Sequence, residues 1–241
     1  MKTSLPVWGC IALLSFLSGT ACAQESYFNV TESDVAEKGK IVVQQQFSIQ
    51  NFYRSITTFD YGLAEDLELG ANLINLDYYP VSRRFMRNDS STEQAYSPLL
   101  MLNAQKIIKL PHDFHVGIGG QAGWNLTPNL GQHRFVHFVY LNLNRTFLDD
   151  HYKLTAGVFN GHVRYLGDGP PVGFQTGFEA AIVYQKLHLL GDWLSGQHDA
   201  GQLVLGLEVF LSKKIPLSVG WQRRNQDGSS ALVLQLTYRN E

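Results

Sequence analysis

The sequence predicts an all-β fold, an antiparallel up-and-down transmembrane β-barrel of about twelve strands. Three observations predict it. Segments that alternate apolar with polar or small residues run from about residue 40 to the end, the links between them alternate short with long, and the chain opens on an export signal. The segment Phe114–Leu126 shows the alternation best. Phe114, Val116, Ile118, Ala122 and Trp124 fall on one side, and His115, Gly117, Gly119, Gln121, Gly123 and Asn125 on the other. A period of two puts these sets on opposite faces of a strand. The segment is also long enough for a tilted bilayer crossing, which takes roughly 9–11 residues.

Composition agrees. Of 241 residues, 17% are charged, against a typical ~25%, as expected where part of the surface meets lipid. No apolar run reaches the roughly 18 residues of a transmembrane helix. Residues 1–23 read as a signal peptide: Lys2 supplies the positive end, Val7–Leu17 the apolar stretch, and Ala21-Cys22-Ala23 the cleavage pattern, so the mature chain is expected from Gln24. Acylation at Cys22 is disfavoured by Gly19, where a large aliphatic residue is the usual requirement. Cys10 and Cys22 both fall in the leader, leaving no disulfide and no thiolate site behind it. Without Lys2 the formal balance is 18 basic against 21 acidic side chains, a charge of −3. That is no footprint for nucleic acid.

Residues 24–38 are polar and irregular. They are expected to form an N-terminal periplasmic segment, a tail or a short plug-like stretch, ahead of the barrel at 39–241. Strands follow at Ile41–Gln50, Ser55–Leu63, Leu67–Tyr78, Pro98–Leu110, Phe114–Leu126 and Phe135–Phe147. The second half adds Tyr152–Arg164, Val172–Tyr184, Leu187–Ser195, Gln202–Lys213, Leu217–Arg223 and Ala231–Tyr238. Tight links occur at Glu65-Asp66, Pro111–Asp113, Leu148–His151 and Lys214–Pro216; longer polar ones at Tyr79–Ser97, Thr127–Arg134, Tyr165–Pro171, Gly196–Gly201 and Arg224–Ser230. This is the short-periplasmic, long-external pattern of outer-membrane barrels. Two joints fit less well: Asn51–Arg54 is short for an external loop, and Gln185-Lys186 lacks a turn former.

Rows such as Leu203, Leu205, Leu207, Val209 and Leu211 make lipid-facing stripes, opposite Gln202, Gly206 and Glu208. Trp124, Tyr152, Tyr184, Trp221 and Tyr238 lie near strand ends, where aromatic girdles sit. A soluble barrel with its apolar side turned inward has the same alternation. Strand length, and polar faces rich in Gly, Gln, Asn and Ser, favour the membrane form.

Candidate chemistry is sparse. Gly117-Ile118-Gly119-Gly120-Gln121-Ala122 matches a dinucleotide fingerprint, but that motif needs a following helix, and here it lies inside one strand. Ser195 and His198 are close in sequence, yet no serine, base and orienting group converge, so no enzyme is expected. The eight histidines are scattered without metal-ligand spacing on a shared face, so neither a metal nor a cofactor is expected. Lumen-facing candidates are Gln121, Glu179, Glu208 and Gln222, beside inward charges at Asp60, Glu68 and Asp192 with Lys153 and Arg164 as partners. The 79–97 loop carries a basic cluster of Arg83, Arg84 and Arg87. Charged rings of this kind set pore selectivity or brace a narrow barrel.

The segment from Phe59 through Asp60-Tyr61-Gly62-Leu63-Ala64-Glu65-Asp66-Leu67-Glu68 to Ala71 reads as strand, acidic turn, strand. It resembles a hairpin of a loose group of Gram-negative outer-membrane β-barrels that includes transporters related to the meta-pathway of phenol degradation. The resemblance extends over residues 40–241. It implies a small barrel that takes up or exports small molecules and transfers no binding residues. Where such chains often end in an aromatic, this one continues past Tyr238 with Arg239-Asn240-Glu241. The function expected is a passive channel or transporter for small solutes in the cell outer membrane, with outer-membrane lipid around it. The alternatives are a structural or adhesive barrel acting through its external loops, and a barrel enzyme acting on lipids.

Overall fold

The computed structural model describes residues 27–31, 34–127, 135–148 and 150–240. The leader expected at 1–23, and all but Thr127 of the expected Thr127–Arg134 loop, lie outside the described residues. The first half of the chain forms β1 (Ile41–Ile49), β2 (Tyr53–Ala64), β3 (Leu67–Tyr79), β4 (Arg84–Met86), β5 (Leu99–Leu110), β6 (Phe114–Asn125) and β7 (Phe135–Phe147). The second half forms β8 (Tyr152–Gly161), α1 (Val163–Leu166), β9 (Val172–Val183), β10 (Leu187–Leu194), β11 (Gln202–Ser212), β12 (Ile215–Arg224) and β13 (Ser230–Arg239).

Apart from β4, every strand pairs antiparallel with its neighbours in the chain, β5 following β3, and β13 returns to pair with β1 (Val43 opposite Tyr238, Ile49 opposite Leu232). The result is a closed ring of twelve strands. Closure matters because an open edge in lipid would leave backbone donors and acceptors unsatisfied. β4 stands outside the ring: it pairs only with the end of β3, Asp77 opposite Met86, and extends that hairpin beyond the barrel.

The sheet is turned apolar side out. On β9, Phe174 is 67% exposed while its neighbour Gln175 is 2% exposed. Leu205, Leu207, Val209 and Leu211 on β11 and Leu232, Leu236 and Tyr238 on β13 all face outward, and Glu208, Gln235 and Thr237 are buried. This is the transmembrane orientation, opposite to a soluble barrel, whose leucine rows would meet in the middle. Trp124, Tyr152, Tyr184, Trp221 and Tyr238 are exposed at strand ends, as interfacial girdles require.

Tight turns join strands at one rim. Asp66, His112, Asp113, Leu148 and Asp150 take positive φ there. The Gln185-Lys186 joint closes in the same way with Gln185 at φ 57°, so a residue with no particular turn preference takes the left-handed place. Two boundaries differ from expectation. β8 stops at Gly161 rather than reaching Arg164, because the His162 side chain accepts from Arg164 N–H and starts the single turn of α1. The β4 hairpin inside the 79–97 loop has too short a period to be visible in sequence.

Candidate functional site

The lumen is partly filled by the chain itself. Tyr27, Phe28 and Val30 are buried and bond to strands all around the ring. The backbone N–H groups of Phe28 and Asn29 donate to Asp192 Oδ2 at 2.6 and 2.8 Å, and Asn29 Nδ2 reaches Asp192 Oδ1 at 3.2 Å. Asn142 Nδ2 donates to the Thr31 carbonyl at 2.6 Å, Thr155 Oγ1 to the Tyr27 hydroxyl at 3.1 Å, and Lys153 Nζ pairs with Asp34 at 2.6 Å. Ala36 N–H donates to Glu68 Oε2 at 2.8 Å, close to the short-turn rim where the chain enters β1. The described part of the 24–38 segment therefore lies inside the barrel as a plug.

Its rings fit because the wall makes room. Phe28 packs on Leu190, Val204 and Val233, apolar residues whose inward neighbours along their own strands include His188, Asp192, Glu208 and Gln235. A Cβ added at Gly206 would come within 2.7 Å of the Phe28 ring, and one at Gly177 within 2.6 Å of Tyr27. Only a glycine permits such approach. The loop end is closed by further contacts: Tyr27 and Val30 join Phe138, Phe159, Leu166 and Leu194, and Tyr96 packs with Ile74, Leu99, Met101 and Val136.

An ionic latch crosses that end. Arg54 grips Asp77 with two hydrogen bonds of 2.9 Å and reaches Asp199 at 3.2 Å, and Arg224 meets Asp199 at 2.7 Å. Asp199 also accepts from Ala95 N–H at 3.3 Å, so one carboxylate ties the 79–97 loop to the 195–201 loop and the wall. Burial alone would raise the Asp199 carboxyl, but the Arg54 and Arg224 guanidiniums outweigh it and hold it below its usual range. Burial also pushes the neighbouring His198 imidazole down.

Beside the plug, a polar cavity of about 230 Å³ remains against β1, β2, β3, β5 and β6. Gln44, Gln46, Ser48, Asn72, Gln105 and Gln121 line it, with Gln222 across from Ser48. Gln121 accepts from Asn72 Nδ2 at 2.8 Å and donates to the Tyr165 hydroxyl at 2.7 Å; Gln222 accepts from Ser48 at 3.2 Å and donates to Gln202 at 2.6 Å. Asp60 and Glu68 line the same space.

The expected site residues thus divide. Gln121 and Gln222 meet at the cavity. Glu179 and Glu208 stand away from it, in a charged belt near the short-turn rim, where Glu179 contacts His188 Nδ1, Lys153 lies 3.6 Å from Glu179, and Ser218 donates to Glu208 at 3.1 Å. Arg83, Arg84 and Arg87 are exposed on the loop hairpin and do not line the cavity. Arg164 lies on α1 over the Tyr96 ring at 5.3 Å, not among the lumen acids. Sequence reasoning missed the latch and the plug's socket. The signal for the socket was present: Leu190, Val204 and Val233 interrupt polar rows. Ser195 Oγ accepts from Phe174 N–H at 2.7 Å, while neither ring nitrogen of His198 has a hydrogen-bond partner, so the two do not form a nucleophile–base pair. The Gly117–Ala122 stretch lies wholly within β6.

No family model and no curated protein matches the chain. Solved structures do. The KdgM porin in complex with disordered oligogalacturonate superposes with a TM-score of 0.58 at 10% identity, covering 82% of this chain and 98% of that one. The chain has the fold of an outer-membrane porin barrel. A second KdgM porin structure gives a TM-score of 0.54 at 9% identity over 83% of this chain and 98% of that one, and the NanC porin gives 0.54 at 8% identity over 82% and 97%. At such identities the likeness is one of fold alone.

Proposed function

We propose that this barrel is a passive channel of the outer membrane for small, hydroxyl-rich polar solutes, held narrow by its own N-terminal segment. The observation that carries the reading is the divided lumen. One wall is covered by the plug, while the opposite wall presents side-chain amides and hydroxyls, with Asp60 and Glu68 among them, to an open cavity. An amide offers a donor and an acceptor together, which suits hydroxyl groups better than a fixed charge does. The porins of like fold, one of them in complex with an oligogalacturonate, and the resemblance of the Phe59–Ala71 hairpin to transporters of the phenol-degradation type both support a solute-conducting role. The signal-like leader supports export.

Planar-bilayer conductance tests it. The native protein should conduct weakly, and Asp192→Ala, which removes the acceptor for three plug hydrogen bonds, should raise single-channel conductance several-fold. Liposome swelling should then show passage of small neutral sugars. A structural or adhesive barrel predicts no conductance from either form. A lipid hydrolase predicts turnover that Ser195→Ala abolishes.

A further inference from the structure

Three chemistry-bearing side chains meet across strands in the belt near the short-turn rim. Glu179 on β9, His188 on β10 and Glu208 on β11 each offer one ligand atom, and these atoms all lie within 4.8 Å of one another. Glu208 faces His188 directly across the β10–β11 ladder. Glu179 reaches the same face through a β-bulge: the β9–β10 register shifts between Leu187 and His188, so that Leu187 opposes Val183 but His188 opposes Ala181. Without that extra residue, His188 would oppose Ile182 and Glu179 would point to lipid, because a one-residue slip reverses every facing. All three side chains are buried, Glu208 to 1% exposure and His188 to 6%.

Two of the ligand groups are incompletely satisfied. Glu208 Oε2 and His188 Nε2 are buried with no hydrogen-bond partner. Buried polar atoms are normally paired, and an orphan points to a role or a missing ligand. The nearby cations do not fill this need. Lys153 is already held by Asp34 at 2.6 Å and stands farther from Glu179, at 3.6 Å. Arg239 on β13 acts on Glu208 through its charge, yet Glu208 Oε2 keeps no hydrogen-bond partner. The His188 ring is fixed from the other side by Phe210, with ring centroids 4.9 Å apart.

We propose that Glu179, His188 and Glu208 form a binding site for a first-row divalent cation, with Zn2+ as the probe. One imidazole nitrogen and two carboxylate oxygens are a zinc-type donor set, and the nitrogen selects against Mg2+ and Ca2+, which prefer all-oxygen shells. Two carboxylates neutralise the ion. Three protein ligands leave a fourth position for water. The site lies one residue inside the rim on β10.

The test is calorimetric titration of the detergent-solubilised, chelator-stripped protein with ZnCl2. One ion per chain is expected, with no comparable heat from MgCl2 or CaCl2. His188→Gln and Glu208→Gln should each weaken binding at least tenfold while keeping the heat-modifiable gel migration of a folded barrel. Co2+ substituted into the native protein should give the visible absorption of a four-coordinate site, a readout that does not depend on any variant folding. No Zn2+ binding, binding unchanged in both variants, or only six-coordinate Co2+ spectra would each overturn the proposal.

Discussion

Arg54 is central to the ionic latch at the loop end. It is mostly buried and joins two carboxylates, Asp77 and Asp199, that would otherwise face each other. Removing one partner of a buried pair costs about 3–5 kcal/mol, because the charges left behind lose compensation. Arg54→Ala should therefore lower the temperature at which the loops become protease-sensitive, while the ring itself keeps its heat-modifiable migration. Arg54→Lys should recover only part of this, since an ammonium cannot make the two-toothed contact with Asp77. Gly206→Val makes a complementary point. Its side chain would occupy the space of the Phe28 ring, so a cysteine placed at Asn29 should react faster with a water-soluble thiol reagent in the Gly206→Val background than in the native one. The only native cysteines, at 10 and 22, precede the described residues.

Elements behave differently at the two rims. The tight turns are held by local backbone geometry, whereas the 195–201 loop is held by titratable groups. His198 has its imidazole value lowered by burial, so the unfolded loop binds a proton more readily than the closed one. Loop stability is therefore full above about pH 6.5, the ordinary histidine value, and falls as pH drops through it. Asp199 is held below its ordinary range, so its contribution is present above about pH 4 and is lost only as pH falls through its depressed value. Hydrogen exchange of the 195–201 amides, corrected for intrinsic rate, should show protection declining below about pH 6.5 and collapsing under strong acid. His198→Phe should remove the first phase and leave the second.

The same contrast of local and long-range causes explains what was legible in the sequence. Alternation along a strand is a local pattern, so nearly every strand was readable to within a few residues, and Phe135–Phe147 to the residue. For residues 24–38 the alternatives of a tail and a plug-like stretch stayed open, because Tyr27–Val30 is held by Asp192, more than 160 positions away, and has no period of its own. Glu179 and Glu208 were legible as inward-facing, but their meeting with His188 was not, because a ladder sets side by side residues that are far apart in the chain. Gln121 and Gln222 were legible as inward-facing polar groups, but their convergence on one cavity depends on where the plug lies.

At the scale of the whole molecule, the first and last strands of the ring meet. β1 lies between β2 and β13, and Asn240 N–H donates to the Ile41 carbonyl at 3.0 Å. Until the final hairpin docks, both flanking strands present bare ladders to a medium that offers no water, at several kcal/mol for each unmatched group. Closure of the ring thus depends on β13, the strand that pairs with both β12 and β1. A chain truncated before Ser230 should give no smaller pore in the bilayer; it should remain protease-sensitive outside it.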